Sequence, residues 1–228
     1  MTIVILQPGY IPWLGFFEQM WRSDVFVFYD DVQFDKNGWR NRNRIKSLNG
    51  PLWLTVPVAV HLGDKILNVR IDNKQDWGKR HIKSLETYYK KAPFFEQYFP
   101  VFRDVLSKKW DFLLDLDVEI IRLINGMLGM EKKIMFSSEL GVREGGKIGR
   151  LIDICKFFGA DMFYEGGAGK NYINDEEFAR EGIKVKYQNY QPQSYSQLYE
   201  EFVPHLSVVD LLFNEGPKSL EIIINGGR

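Results

Sequence analysis

The chain has 228 residues, 45% of them hydrophobic, and its 30 basic and 30 acidic side chains leave a formal net charge of zero. That balance excludes a chain-wide cationic footprint for nucleic acid, and the size suits one domain with a substantial core. A single cysteine, Cys155, excludes an internal disulfide and a cysteine-based zinc site. No run approaches the ~20 apolar residues of a membrane span. Met1 leads into a strand with no basic-then-apolar leader, so a cytoplasmic protein without a membrane span is expected.

Taken in order, Ile3–Leu6 reads as a buried strand that breaks at Gln7-Pro8-Gly9. Pro12 then precedes an amphipathic run of Trp13, Leu14, Phe16, Phe17, Met20 and Trp21, which predicts a helix. Val25–Phe28 predicts a second strand, and strand–turn–helix–strand is a βαβ unit. Pro51–Val58 reads as a strand with an edge or end at Pro57, and Ile66–Ile71 as a shorter one. From about 76 to 130 the pattern becomes helical, with helices over Trp77–Lys91, Phe94–Lys108 and Phe112–Leu128. The α/β pattern resumes with strands at Lys133–Phe136, Asp161–Tyr164 and Ile183–Tyr187. A helix over Lys147–Phe158 follows Gly141, Gly145 and Gly146, and a last helix spans His205–Phe213. The expectation is one α/β domain over 1–228, Rossmann-like or HUP-like, with a mainly parallel sheet and a helical insertion.

Ligands of parallel sheets bind beyond the carboxyl ends of the strands. Those ends carry Gln7, Tyr10, Asp30, Asp31 and Gln33. Asp30 is a candidate general base, metal ligand or sugar-hydroxyl acceptor, weighed against a turn or helix-capping aspartate. Trp39-Arg40-Asn41-Arg42-Asn43-Arg44, if extended, sends three arginines to one face, and arginine forks bind phosphate. Trp13 is read either as a wall of the cleft or as a buried ring. Gly166-Gly167-Ala168-Gly169-Lys170 is no P-loop, because Tyr164 and Asn171 stand where glycine and Ser/Thr are needed. Gly167 and Gly169 still suit an anion-binding backbone turn, with Lys170 as a point charge. Lys147 and Arg150 share a helix face, available to a phosphate or to Glu144. His61, His81 and His205 show no metal spacing, and His81, in a basic helix, is expected at the surface.

The blocks QPGYIPWLGFF, SDVFVFYDDVQF, NGWRNRNRIK, WLTVPV, KIGRLIDICKFFGADMFYEGGAGKNYI and FVPHLSVVDLLFNEGP together resemble the WbqC-like family. The resemblance runs from Ile3 to about Pro217. It implies a bacterial protein of surface-polysaccharide (O-antigen type) biosynthesis. It also supports Arg42 as a ligand contact, and it marks His205, within one of its blocks, as an acid/base candidate beside Asp30. Glu165 departs from a small serine in many relatives, which implies a changed charge preference. The placement of the first turn resembles HUP-type nucleotidylyltransferases, but Gln7–Gly15 holds no histidine, which argues against histidine-assisted nucleotidyl transfer. The expected activity is a transferase on an activated, nucleotide-linked sugar. The partner is then a small molecule and not nucleic acid, and no cofactor is assigned. The alternative is a non-catalytic ligand-binding or scaffold component of the same pathway.

Overall fold

The structure is a computed structural model that describes residues 1–36, 38–142 and 146–227. The chain opens with β1 (Thr2–Leu6), α1 (Leu14–Arg22) and β2 (Val25–Phe28). β1 and β2 pair in parallel, from Ile3 opposite Val25 to Leu6 opposite Phe28. Both runs are apolar at every position because both faces are covered. Val4, Phe26 and Phe28 face one core, and Ile3, Ile5 and Val27 face the other. Gly15 in α1 is required by packing, since a Cβ there would lie 2.4 Å from a carbon of the Trp13 indole folded over it.

β3 (Arg42–Ser47) and β4 (Gly50–Thr55) form an antiparallel hairpin outside the main sheet. The strand expected from Pro51 to Val58 ends at Thr55, and Val56 turns inward through a hydrogen bond to the Asn41 carbonyl. β5 (Val58–Ala59) then pairs with β6 (Arg70–Ile71). The strand expected over Ile66–Ile71 is mostly a 3-10 turn. Its Ile66 and Leu67 amides donate to the Val32 and Asp30 carbonyls, so they are not free for a strand ladder.

The helical block is α2 (Trp77–Tyr89), α3 (Phe95–Ser107) and α4 (Leu113–Met127). Pro100 lies inside α3, whose buried Tyr98, Phe99, Phe102 and Val105 hold the helix on the core. His81 corrects the expectation of a surface residue: it is 5% exposed. Trp77, His81, Leu85 and Tyr89 recur every fourth residue and all face inward, which leaves the lysines outside.

The remaining elements are β7 (Ile134–Phe136), α5 (Gly146–Phe157), β8 (Met162–Glu165), α6 (Asp175–Arg180), β9 (Lys184–Tyr187), α7 (Val208–Glu215) and α8 (Ser219–Gly226). Glu144 and Gly145 lie outside the described residues. α5 ends at Gly159 in the left-handed region, with Ala160 and Gly159 amides bonded to Cys155 and Lys156 carbonyls. The last expected helix begins at Val208 rather than His205. Ser207 caps it by accepting from Val209 N, and His205 has a φ of 58°, which no α-helix accommodates. α8 was not expected.

The main sheet has five parallel strands in the order β7-β2-β1-β8-β9, flanked by helices, which is a Rossmann-like α/β fold. The chain builds outward from β1 to β7, then returns to the other side of β1. The order therefore reverses between β1 and β8.

Candidate functional site

A cleft of ≈ 800 Å³ opens at that reversal. Gln7 at the end of β1 and Glu165 at the end of β8 form its floor, where a parallel sheet leaves room between diverging loops. Trp13, Trp39, Tyr29 and Tyr172 give it aromatic walls, and Arg40, Arg44 and Lys147 give it positive charge.

The loop from Gln7 to Pro12 is held in one shape by its neighbours. The Tyr10 amide donates to the Arg40 carbonyl at 3.0 Å, and the Asn43 amide side chain donates to the carbonyls of Tyr10 and Ile11. Gly9 passes so close that an added Cβ would stand 2.8 Å from the Trp39 carbonyl oxygen. Ile11 is forced to a φ of 37°, an unfavourable conformation for a β-branched residue. Tyr10 itself is wholly buried and bonds His81 Nδ1 at 2.8 Å. Burial holds His81 down at about 4, so it is neutral at pH 7. Tyr10 thus supports the loop from beneath.

The cations come from the loop before β3, from β3 and from α5. Arg40 donates to the Gln7 carbonyl at 2.9 Å. Burial pushes its guanidinium down from its ordinary value, and the carboxylates of Asp117 and Asp35 oppose that. Arg44 reaches the His205 carbonyl at 3.4 Å, and no acceptor among the described residues meets its buried Nε. Lys147, in the first turn of α5, places its ammonium 4.3 Å from the centre of the Tyr172 ring.

Glu165 is 7% exposed. Burial raises its carboxyl to about 7; the Gly166 amide, the Tyr172 hydroxyl and the charge of Lys147 pull the other way. The Gly166 amide donates at 3.0 Å and the Tyr172 hydroxyl at 3.4 Å. Gly169 makes room for this side chain, since a Cβ there would sit 2.4 Å from Glu165 Cγ. The glycine loop, a 3-10 turn over Gly167–Asn171, is therefore shaped around Glu165.

His205 stands at the mouth of the cleft with its ring 5.4 Å from that of Trp13. Burial, then the charge of Arg44, lower its pKa. Its segment is anchored just after the ring: Ser207 N donates to the Arg44 carbonyl and Val208 N to that of Pro12. Behind it lies a buried network. Asp210 accepts from Tyr89, Tyr195 and Gln197 at 2.7, 2.8 and 2.9 Å, and Lys46 Nζ ties the carbonyls of Tyr199 and Glu201.

Gln7, Trp13, Lys147 and His205 thus meet in one cleft. The other sequence-derived candidates stand apart from its lining. Asp30 is 2% exposed and takes bonds from Ser137 Oγ, Ser138 N and Ser138 Oγ at 3.0, 3.0 and 2.6 Å. It borders a second cleft of ≈ 490 Å³ beside α4. Asp31 pairs with Arg150, so the charge of that arginine is met within the chain. Gln33 is exposed and its backbone bridges to Lys65. Arg42 lies over the Trp53 ring at 4.7 Å, on the outer face of the hairpin. Lys170 is exposed, 5.6 Å from the Tyr187 ring, and Gly167 faces the Gln188 carbonyl. Sequence reasoning favoured Arg42 among the three arginines, whereas Arg40 and Arg44 line the cleft, and it gave Glu165 only a change of charge preference. The strand-end rule that selected Gln7 also selects Glu165 when it is applied to β8.

Among the described residues no group of three or more His, Cys, Asp or Glu side chains is placed to hold a metal, and no helix is long and apolar enough to cross a membrane. Fold and site together define a Rossmann-like protein with a cationic, aromatic cleft at the sheet's switch point. The chain belongs to the WbqC-like protein family, whose model matches residues 7–222. It is 34% identical over 221 residues to an uncharacterized protein of Mycobacterium tuberculosis, with 95% of each chain covered. No solved structure gives a significant match.

Proposed function

We propose that this protein is a transferase acting on an activated, nucleotide-linked sugar in bacterial surface-polysaccharide biosynthesis. One observation carries the reading: a cationic wall and a buried carboxyl that titrates near neutrality share the switch-point cleft. Arg44 and Lys147 suit the phosphates, Arg44 as a guanidinium in the cleft lining and Lys147 as a point charge. The indole of Trp13 and the phenol of Tyr172 suit the flat face of a sugar. Near neutral pH Glu165 is divided between its two forms, the condition under which a general base works best. In the step, the acceptor's hydroxyl or amine forms the new bond and its proton passes to the Glu165 carboxylate. The phosphate side leaves with the electron pair of the broken bond, its growing charge met by Arg44 and Lys147. His205, neutral at pH 7, serves as a second proton carrier at the mouth, and Asp30 positions the Ser137–Ser138 turn.

Calorimetry with a panel of nucleotide-sugars tests this reading, and reaction assays on the best ligand extend it. At least one should bind wild type, bind Arg44→Ala about tenfold or more weakly, and react with an acceptor far more slowly in Glu165→Gln. Failure of every phosphate ligand to bind, or unchanged turnover in Glu165→Gln, would overturn it.

A further inference from the structure

Trp39 and Trp53 are two large aromatic residues left 45% and 43% exposed, and they stand together. Their ring centres are 5.2 Å apart with planes inclined by 31°. The β3–β4 register sets Trp53 opposite Arg44 and Thr55 opposite Arg42 on the hairpin's outer face. Ile45 and Leu54 on the inner face are buried. The guanidinium of Arg42 covers the Trp53 ring at 4.7 Å, and that of Arg44 lies 5.6 and 5.7 Å from the Trp39 and Trp53 rings. Trp39 and Arg44 also line the switch-point cleft, so the rack runs from the outer face of the hairpin into its mouth.

Resting on the reading of an activated-sugar cleft, we infer that this rack is the platform for the nucleoside. An aromatic base stacks on Trp53 and Trp39, and its phosphates turn inward to Arg44. Charge and shape favour a base over a saccharide here. Sugar recognition uses carboxylates and amides for hydroxyl groups, but Arg42–Thr55 contains no acidic residue, its Asn43 side chain is buried and used by the loop, and the carboxylate of Asp35 in the cleft lining is set against the charge of Arg40. Indole and guanidinium planes stack readily on any base, and the positive charge suits the phosphates that follow it. Burying the two exposed rings also explains an apolar pair at the rim of a polar cleft.

Trp53 tests the assignment best because it lies outside the cleft lining. Affinities of uridine diphosphate, guanosine diphosphate and inorganic pyrophosphate are measured by calorimetry for wild type, Trp53→Ala and Trp53→Phe. Trp53→Ala should bind both nucleotides about tenfold more weakly, with pyrophosphate unchanged and Trp53→Phe close to wild type. Equal losses for pyrophosphate and nucleotides would overturn the platform, since Trp53 would then act through the arginines. Unchanged nucleotide affinity in Trp53→Ala would overturn it too. If wild type binds neither nucleotides nor pyrophosphate, the activated-sugar reading itself fails.

Discussion

The carboxyl of Glu165 makes a prediction that needs no knowledge of the substrate. An ordinary glutamate titrates at 4.5, and burial holds this one at about 7. Between those values the folded protein binds the proton more tightly than the unfolded chain, so stability falls as pH rises through the window. At 1.36 kcal/mol for each pH unit, the difference comes to about 3 kcal/mol. Glu165→Gln removes the effect. Its stability should match wild type near pH 4.5 and exceed it by about 3 kcal/mol at pH 7.5. The comparison has to be made as a difference between the two proteins. His81, depressed from 6.5 to about 4, acts in nearly the same window with the opposite sign, because the unfolded chain binds that proton more tightly. Its contribution grows as pH rises, so the two effects largely cancel in wild type. Urea unfolding of both proteins at half-unit pH intervals would show the divergence. Parallel stability profiles from pH 4.5 to 7.5 would refute a buried, proton-holding Glu165.

Tyr89→Phe removes a donor to Asp210 and the acceptor of the Lys46 amide. It should cost about 2 kcal/mol in chemical denaturation, since both partners stay buried. Gly9→Ala forces a Cβ against the Trp39 carbonyl, so it should lower both the melting temperature and the affinity for phosphate ligands. Cys155 is buried and its thiol is held up at about 12, so an aromatic disulfide reagent should react only as fast as the protein unfolds. Ligand affinity in the cleft should fall as salt rises, and less steeply in Lys147→Ala, because that ammonium is exposed.

The parallel sheet was legible because buried strands are short continuous apolar runs with turn residues after them. The βαβ opening, the helical block and the fifth strand all follow from that and from helical period. What escaped depended on contacts remote in sequence. His81 carries the inward spacing of Trp77, Leu85 and Tyr89, but the lysines around it masked the pattern. Arg40 looked like one of three alternating arginines, and only the turn that brings it under the Gln7 carbonyl separates it from Arg42. Asp30 stood at a strand end as expected, yet the Ser137–Ser138 turn that occupies its oxygens lies more than a hundred residues away. α8 contains Ile222-Ile223-Ile224, a β-branched run that argues for strand until α1 packs against it.

The most direct test is a crystal structure of the protein with a bound nucleotide-sugar. The account predicts phosphates within hydrogen-bond reach of Arg44 and Lys147, the base against Trp39 and Trp53, and the sugar beside Glu165. A ligand seated instead in the cleft bordered by Asp30, or held with Glu165 and Arg44 untouched, would contradict it.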